Sequence, residues 1–313
     1  MGILLSPWFF LAVCVVVLFA LDFFLIPRFT REGSLQSAIV ESIAWIGAGV
    51  GFSIYVWWAL EGKALEYLTA YVIEKSLSAD NLFVFAATFG YFQIPHEHQR
   101  RVLMLGILGA VILRGVFIFA GIALIEAVEW VVYLLGAILI VTGIRLGVQA
   151  LKGGEERPGE NAAVRFVARL LPVDRDYKGK HFWYLTKTGI CFTPMLLALV
   201  AIESADVIFA VDSVPAVLAV TRDRFIAYSS NVFAILGLRA LYFVLAGAML
   251  HLPLIRPALS IILVFIGIKL AISHHVEIPT WLPLIVVGVV LAAAVAGSLW
   301  MNSRRTRPSL TAG

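Results

Sequence analysis

Apolar segments of about 20 residues recur along the whole chain, separated by short polar stretches. Segments of that length cross the hydrocarbon core of a bilayer as helices. The fold class that this pattern predicts is all-α, a polytopic membrane helical bundle that forms a single integral membrane domain over residues 1–313. Nine transmembrane helices are predicted, at 7–26, 34–60, 64–92, 99–125, 129–151, 188–220, 224–250, 255–273 and 280–301.

Composition agrees with a membrane protein. Charged residues make up 14% of the chain and apolar residues 61%, whereas a soluble domain has about 25% charged residues. The formal net charge of +4 does not indicate nucleic-acid binding, because the basic residues are concentrated in loops. The expected partner is therefore the lipid bilayer. Cys14 and Cys191 are isolated in apolar segments, which is typical of small apolar residues and not of a disulfide or a soft-metal site.

Loop charges predict the orientation of the chain. The only long predicted loop, 152–187, is basic and separates two halves. If the N-terminus is outside, most Lys and Arg residues of the loops lie inside, and only Lys63, Arg222 and Arg224 lie outside. This asymmetry favours an N-out, C-in topology with 152–187 as a cytoplasmic loop.

Two acidic runs interrupt apolar helices at matching places in the two halves. The first begins at Glu74 and includes Asp80 and Asn81; the second spans Glu203 to Ser213. Carboxylates at membrane depth are costly, so their default interpretation is an ion or proton pathway. The acidic runs therefore predict a transporter.

Further landmarks follow the acidic runs in the same order. Glu74 and Asp80 are six residues apart, as are Asp206 and Asp212, and Asp80-Asn81 matches Asp212-Ser213. Downstream, the pairs that match are Gly106 with Asn231, Arg114 with Arg239, and Gly136…Gly143 with Ser260…Gly267. The chain thus predicts two repeats, 64–151 (predicted helices 3–5) and 188–273 (predicted helices 6–8). Because each holds three helices, the second copy inserts upside down, as in inverted-repeat transporters.

Helical geometry adds an expectation about the third and sixth predicted helices. On a regular helix Glu74 and Asp80 differ by about 600° of rotation, so one face cannot present both. We therefore expect discontinuous helices that cross near mid-membrane, with Ser76, Ser78 and Pro215 as the causes of the breaks.

The polar residues of both runs offer oxygen ligands. The predicted metal ligands are Glu74, Asp80, Asn81, Glu203, Asp206, Asp212 and Ser213. All six histidines fall in loops or at predicted helix ends, and no Cys or Met cluster accompanies the acids. Hard oxygen ligands suit Mn²⁺, Mg²⁺ or Ca²⁺ rather than copper or zinc. The chain is predicted not to be an enzyme, and the divalent cation is predicted as cargo, with no prosthetic group.

The buried cations are predicted structural counter-charges. Arg114 and Arg239 each need a carboxylate partner, since an unpaired guanidinium is costly at this depth. Five acids against Arg114, Arg239 and Lys75 leave about two negative charges, which one divalent ion or protons can balance. Competition between the two is a hypothesis for antiport. Asp22 and Glu41, near helix ends, are predicted to be solvated with no role in the site.

Three alternatives remain open from the residues alone. The buried acids can be structural ion pairs that only neutralise the buried cations. Glu203 can support the ligands instead of binding the ion. Asn81 and Ser213 can satisfy freed backbone groups at helix breaks.

Three blocks resemble the TerC family of integral membrane proteins, within the wider LysE-type transporter superfamily. The blocks are 71–85 (YVIEKSLSADNLFVF), 203–215 (ESADVIFAVDSVP) and 231–239 (NVFAILGLR), and the resemblance covers about 34–302. The family is associated with tellurium resistance by name and with manganese export in bacteria. The resemblance thus implies Mn²⁺ efflux across a bacterial inner membrane or a thylakoid-like one. It places the family's acidic residues at Glu74, Asp80, Asp206 and Asp212, with Glu203 alongside. The competing interpretations are a membrane scaffold or metal or tellurite stress-response protein, and an exporter of small organic cations.

Overall fold

The structure, a computed structural model, describes residues 6–22, 35–60, 62–128, 130–152, 162–173, 181–186, 189–248, 253–272, 279 and 281–305. Helices dominate, and they overlap all nine predicted segments. The elements are α1 (Pro7–Ala20), α2 (Leu35–Ala59), α3 (Ala64–Tyr91), α4 (His96–Ala127), α5 (Val131–Lys152), α6 (Ala162–Leu170), β1 (Trp183–Thr186), β2 (Gly189–Phe192), α7 (Pro194–Leu218), α8 (Arg224–Ile235), α9 (Leu238–Ala248), α10 (Ile255–Ile272) and α11 (Trp281–Arg305).

Within the residues that the structure describes, six helical segments are long and apolar enough to cross a membrane by length and composition. They are Gln36–Ala59, His96–Ala127, Val131–Ala150, Pro194–Leu218, Arg224–Val244 and Trp281–Met301, with shorter apolar helices at Pro7–Ala20 and Pro257–Ile272. Helix α3 is 28 residues long, which corresponds to roughly 42 Å of axis. It is not among the six, and it carries Glu66, Glu74, Lys75 and Asp80. The protein is therefore a helical, multi-pass membrane bundle.

The helices that carry the acidic runs are continuous, so the prediction that they are broken is wrong. Both α3 and α7 run through their acidic residues without interruption. The hydroxyls of Ser76 and Ser78 donate to the carbonyls of Val72 and Glu74, four residues earlier, within an intact helix. Such bonds satisfy the hydroxyl and do not require a break. Pro215 lies inside α7, three residues before its end, and the helix continues through it to Leu218.

The break occurs instead in the predicted seventh helix, between α8 and α9. Gly237 has φ of +81°, a conformation that favours glycine. A Cβ at this position would also collide with the Trp45 side chain. On α3, Lys75 Nζ donates to the carbonyls of Ala234 (3.0 Å) and Leu236 (3.3 Å). The lysine thus satisfies carbonyls that the helix end leaves without a helical partner.

Helices α5 and α10 cross with their backbones in contact. A Cβ on Gly136 would lie 2.9 Å from the Gly267 carbonyl oxygen, and one on Gly267 would lie 2.8 Å from that of Gly136. Seven residues along, Gly143 accepts a hydrogen bond from Ser260 Oγ at 2.6 Å. Elsewhere α4 packs on α7 and α3 packs on α8. Small residues allow this close approach, as they do in many membrane helix pairs.

The segment predicted as the loop 152–187 contains folded elements. Helix α6 packs on α7 through Val164, Leu197 and Ala201, and β1 pairs antiparallel with β2. Helix α7 therefore begins at Pro194 and not at 188, because the preceding residues form the second strand. Residues 153–161, 174–180 and 187–188, with most of the predicted basic charges, lie outside the described residues.

Candidate functional site

One arginine lies between the two acidic runs. Arg114 of α4 contacts Glu74 Oε2 of α3 through Nη1 at 2.5 Å. Its Nη2 and Nε atoms donate to Asp206 Oδ1 of α7 at 3.0 and 3.2 Å. The three side chains are at most 6% exposed. Because the guanidinium fork binds both carboxylates, α3, α4 and α7 meet at a single charged centre.

Oxygen atoms remain available around this centre. Asn81 Nδ2 lies 3.5 Å from Asp206 Oδ1, and the Asn231 side chain of α8 faces Glu74. Glu74 Oε1 and Asn81 Oδ1 are buried and make no hydrogen bond of normal geometry. Buried oxygens that make no such hydrogen bond have chemistry that fits a hard cation.

Glu203 lies one turn before Asp206 on α7 and close enough to interact with it electrostatically. Its carboxylate packs directly over Gly109 of α4, where a Cβ would collide with both oxygens. Glu203 Oε2 is also buried without a hydrogen bond. The glycine therefore creates the space in which this third carboxylate approaches the centre.

Asp212 has a different neighbour. Thr142 of α5 donates to Asp212 Oδ1 at 2.9 Å. Six residues of continuous helix separate Asp206 from Asp212, a rise of about 9 Å. The next residue, Ser213, is buried and its hydroxyl makes no hydrogen bond. The side chain of Asp80 lies outside what the structure describes.

The predicted ligands thus fall into a group around Arg114 and a separate group near Thr142. Among the described side chains, no three His, Cys, Asp or Glu residues are placed to bind one metal ion. Arg114 occupies the space between Glu74 and Asp206. Metal binding by the seven predicted residues stays a prediction.

Arg239, the predicted counterpart of Arg114, has partners that the sequence did not identify. Its Nη2 contacts Asp22 Oδ1 at 2.8 Å and Glu41 Oε2 at 3.1 Å. Asp22 is 7% exposed and the Glu41 side chain 15% exposed, so the prediction that these two acids are solvated is wrong; the prediction that they have no role in the metal site stays a prediction. A buried arginine requires a partner, and that requirement was the available signal. Both partners precede the predicted repeats, which span 64–151 and 188–273.

The charge count of five acids against three cations also needs correction. Arg239 is paired with Asp22 and Glu41, and Lys75 binds backbone carbonyls. Around Arg114 the described carboxylates are those of Glu74, Asp206 and Glu203. The sequence analysis also did not predict a role for Thr142. This residue lies in the block Gly136…Gly143, which served only as evidence for the repeat.

A second set of charges lies where α2 meets α3 and α7 meets α8. Lys63 Nζ contacts Asp223 Oδ2 at 2.6 Å, and this hydrogen bond raises the pKa of Lys63. Burial alone would raise the pKa of Asp223. Hydrogen bonds from Lys63 and from the N–H groups of Ile226 and Phe225 outweigh burial and lower it. Asp223 is therefore both an ion-pair partner and the N-cap of α8.

Comparison with known proteins agrees with this architecture. Residues 59–307 match the family described as "Integral membrane protein TerC family". The chain belongs to the TerC family. The match includes the Arg114 centre, the α8–α9 break and the α5–α10 crossing, whereas Asp22 and Glu41 precede it.

Several bacterial relatives of this TerC family member cover nearly the whole chain. The "Uncharacterized membrane protein STKORF319" of Myxococcus xanthus is 40% identical over 91% of this chain and 89% of its own length. The "Putative membrane-bound redox modulator Alx" of Salmonella typhi is 40% identical over 96% of each chain. Its namesake in Escherichia coli K12 is 39% identical over the same shares. No solved structure matches the chain significantly.

Proposed function

We propose that this TerC family protein is a divalent-cation exporter whose physiological cargo is Mn²⁺, located in a bacterial inner membrane. The observation that carries the proposal is the buried centre between α3 and α7. There Glu74 and Asp206 share Arg114, and one buried oxygen each of Glu74 and Asn81 makes no hydrogen bond of normal geometry. Hard oxygen ligands select Mn²⁺, Mg²⁺ or Ca²⁺, and the choice of Mn²⁺ rests on the family resemblance.

Local charge supports exchange of the cation for protons. Glu74, Asp206 and Glu203 carry three negative charges when ionised, and Arg114 carries one positive charge. Three minus one leaves two negative charges, which one divalent cation or two protons balance. Because uncompensated charge is costly at this depth, we expect the site to hold either the metal or the protons. This alternation is the basis of antiport in the proposal.

The helix contacts support alternating access by two inverted repeats. The sequence match pairs Gly136 with Ser260 and Gly143 with Gly267. The observed contacts are Gly136 with Gly267 and Gly143 with Ser260. Such reciprocal contacts are what a pseudo-two-fold axis produces. Rocking of one repeat against the other about a midplane site, with the chain N-out and C-in, completes the proposal.

The structure also favours one competing function, a membrane scaffold or stress-response protein that does not transport. Arg114 pairs with both Glu74 and Asp206 within one buried cluster, the arrangement expected if these acids have a structural role. The relatives' name includes "redox modulator". An exporter that sets the level of a redox-active metal would also change the redox state of the cell, so the name is compatible with transport.

Mn²⁺ flux in proteoliposomes tests the proposal. We expect the wild type to move Mn²⁺ faster when a proton gradient is imposed, and Asp206→Asn to reduce the flux at least tenfold. Glu126→Gln is the matched control, because Glu126 forms an exposed ion pair with Arg224 (54% and 52% exposed). Wild-type flux no greater than that of empty liposomes would refute transport.

Intracellular metal content provides the second measurement. Cells that express the wild type are expected to hold less manganese than cells that express Asp206→Asn, Asp80→Ala or Asp212→Ala. If all three variants lower manganese as the wild type does, the site assignment fails although transport stands. Variant abundance in the membrane is measured in parallel, so that loss of folding is distinguished from loss of the site.

A further inference from the structure

The β-hairpin before α7 has an exposed apolar face. In the observed register Trp183 pairs with Phe192 and Leu185 pairs with Ile190, so these four side chains lie on the same face of the two strands. Trp183 and Ile190 are each 52% exposed and Leu185 is 75% exposed. An exposed apolar face of this kind is typical of a surface that contacts a membrane or another protein.

Helix α6 presents two rows of side chains beside that hairpin. Val164 packs against α7, while Phe166 and Leu170 are 66% and 68% exposed. Arg165 and Arg169 are also exposed, and they form a parallel row about 100° around the helix from the two apolar residues. A basic row next to an apolar row is typical of helices that lie in the membrane interface.

Backbone hydrogen bonds join these elements to the start of α7. The Phe192 N–H donates to the Pro172 carbonyl at 2.9 Å, and the Thr193 N–H donates to the Phe182 carbonyl at 3.0 Å. Helix α7 begins at the next residue, Pro194. The apolar face of the hairpin and the exposed rows of α6 are therefore fixed where a membrane-spanning helix starts.

A cavity of about 380 Å³ lies between the hairpin and the first turns of α4. Its lining combines two side chains that can carry positive charge with three aromatic ones: Arg101, His181, Phe182, Trp183 and Tyr184. Basic and aromatic side chains together suit the phosphate and glycerol region of a lipid headgroup.

We propose that α6, the hairpin and this cavity bind an anionic phospholipid of the surrounding bilayer. The cavity takes the headgroup phosphate at Arg101, and Arg165 and Arg169 contact neighbouring headgroups. The exposed faces of the hairpin and of α6 lie among the upper acyl chains. Charge complementarity selects anionic over zwitterionic lipid, and continuity with the spanning helices places the surface at the depth of the headgroups.

Lipid retention by the purified full-length protein tests the proposal. The protein is reconstituted in nanodiscs of phosphatidylcholine mixed with phosphatidylglycerol. It is then released from the nanodiscs, and the lipid that stays bound to it is identified by native mass spectrometry. We expect preferential retention of phosphatidylglycerol. Arg101→Gln should weaken retention about fivefold, and Arg165→Gln with Arg169→Gln about 30-fold, the factors expected for basic groups near an anionic surface. Arg222→Gln, an exposed arginine between α7 and α8, is the control and should change nothing.

Depth is measured with a fluorophore on Leu185→Cys in a Cys14→Ser, Cys191→Ala background. Quenchers attached to lipid chains should quench it, and aqueous iodide should not. Equal retention of the two lipids by wild type and variants, or quenching by iodide alone, would overturn the proposal. Displacement of the lipid by millimolar inorganic phosphate would also overturn it, since the cavity would then be a site for soluble anions.

Discussion

Glu74 and Asp206 lie on different helices and contact the same guanidinium, that of Arg114. The contacts are 2.5 Å from Nη1 to Glu74 Oε2 and 3.0 Å from Nη2 to Asp206 Oδ1. Because the arginine is 1% exposed, water cannot replace it. This shared cation explains how two carboxylates from the two acidic runs can remain close together within a membrane.

Replacing Arg114 should therefore destabilise the protein strongly. Arg114→Ala leaves Glu74 and Asp206 buried without a counter-charge, a change that typically costs about 3–5 kcal/mol. Arg224→Ala is the matched control, since Arg224 and Glu126 form an exposed pair and such pairs contribute about 0–1 kcal/mol. The stability of both variants is measured in detergent, by unfolding with heat or denaturant. Similar losses for the two variants would show that the Arg114 centre is solvated.

Gly136 offers a test of the α5–α10 crossing. Gly136→Ala would bring a methyl group within 2.9 Å of the Gly267 carbonyl oxygen and 3.1 Å of the Ala271 nitrogen, so backbone must move. We expect a loss of about 1–3 kcal/mol, the usual cost of overpacking. Gly288→Ala in α11 has open space around the new methyl group and should gain up to about 1 kcal/mol from helix propensity. Thermal stability that rises in both variants would contradict the close crossing.

The sequence predicted features that depend on local pattern. Apolar length predicted the helical segments, and the loss of apolar character at Glu74 and Asp206 indicated the charged centre. It could not predict pairings across distant segments. Arg239 and Asp22 are 217 residues apart, and no period or spacing connects them. The strands of four residues were too short for their alternation to be distinguished from a loop.

Helix continuity was predicted wrongly for a physical reason. The prediction assumed that both acidic residues of each run must face one cavity, which a straight helix does not allow. In the structure Asp206 faces Arg114 and Asp212 faces Thr142, so α7 needs no break. The break is at Gly237, where the backbone approaches Trp45 closely. This is a tertiary contact, and one glycine within 231–239 was not enough to predict it from the sequence.

Lys75 should hold the α8–α9 break in place. Lys75→Met removes the ammonium that binds the Ala234 and Leu236 carbonyls, and we expect a loss of about 1.5–3 kcal/mol, as for other charged hydrogen bonds. The comparison variant is Lys269→Met, whose wild-type Nζ donates to the Ala219 carbonyl at the end of α7, at 2.7 Å.

Stability and Mn²⁺ flux together separate the two lysines. Both variants should lower the unfolding temperature, because each leaves carbonyls at a helix end without a donor. Only Lys75→Met should also lower Mn²⁺ flux, since Lys75 is next to Glu74 and the α8–α9 break that it stabilises lies within the bundle. Flux that falls equally in both variants would show a general effect of instability.

The Lys63–Asp223 pair should make stability depend on pH in a defined direction. Asp223 has a lowered pKa, so its ion pair contributes above the carboxyl's unfolded pKa, about 3.9. That contribution is lost as pH falls through the lower folded value. Lys63 has a raised pKa, so its contribution is complete below the unfolded pKa of about 10.4 and is lost as pH rises through the higher folded value.

Two variants of Asp223 separate the ion pair from the helix cap. Asp223→Asn keeps an N-cap acceptor and loses the charge, so we expect a cost below about 1 kcal/mol at pH 7, declining below about pH 4. Asp223→Ala also removes the acceptor for Phe225 and Ile226 and should cost about 1 kcal/mol more at every pH. Unfolding temperatures between pH 3 and 8 measure both effects. A deficit of Asp223→Asn that grows as pH falls would contradict the lowered pKa.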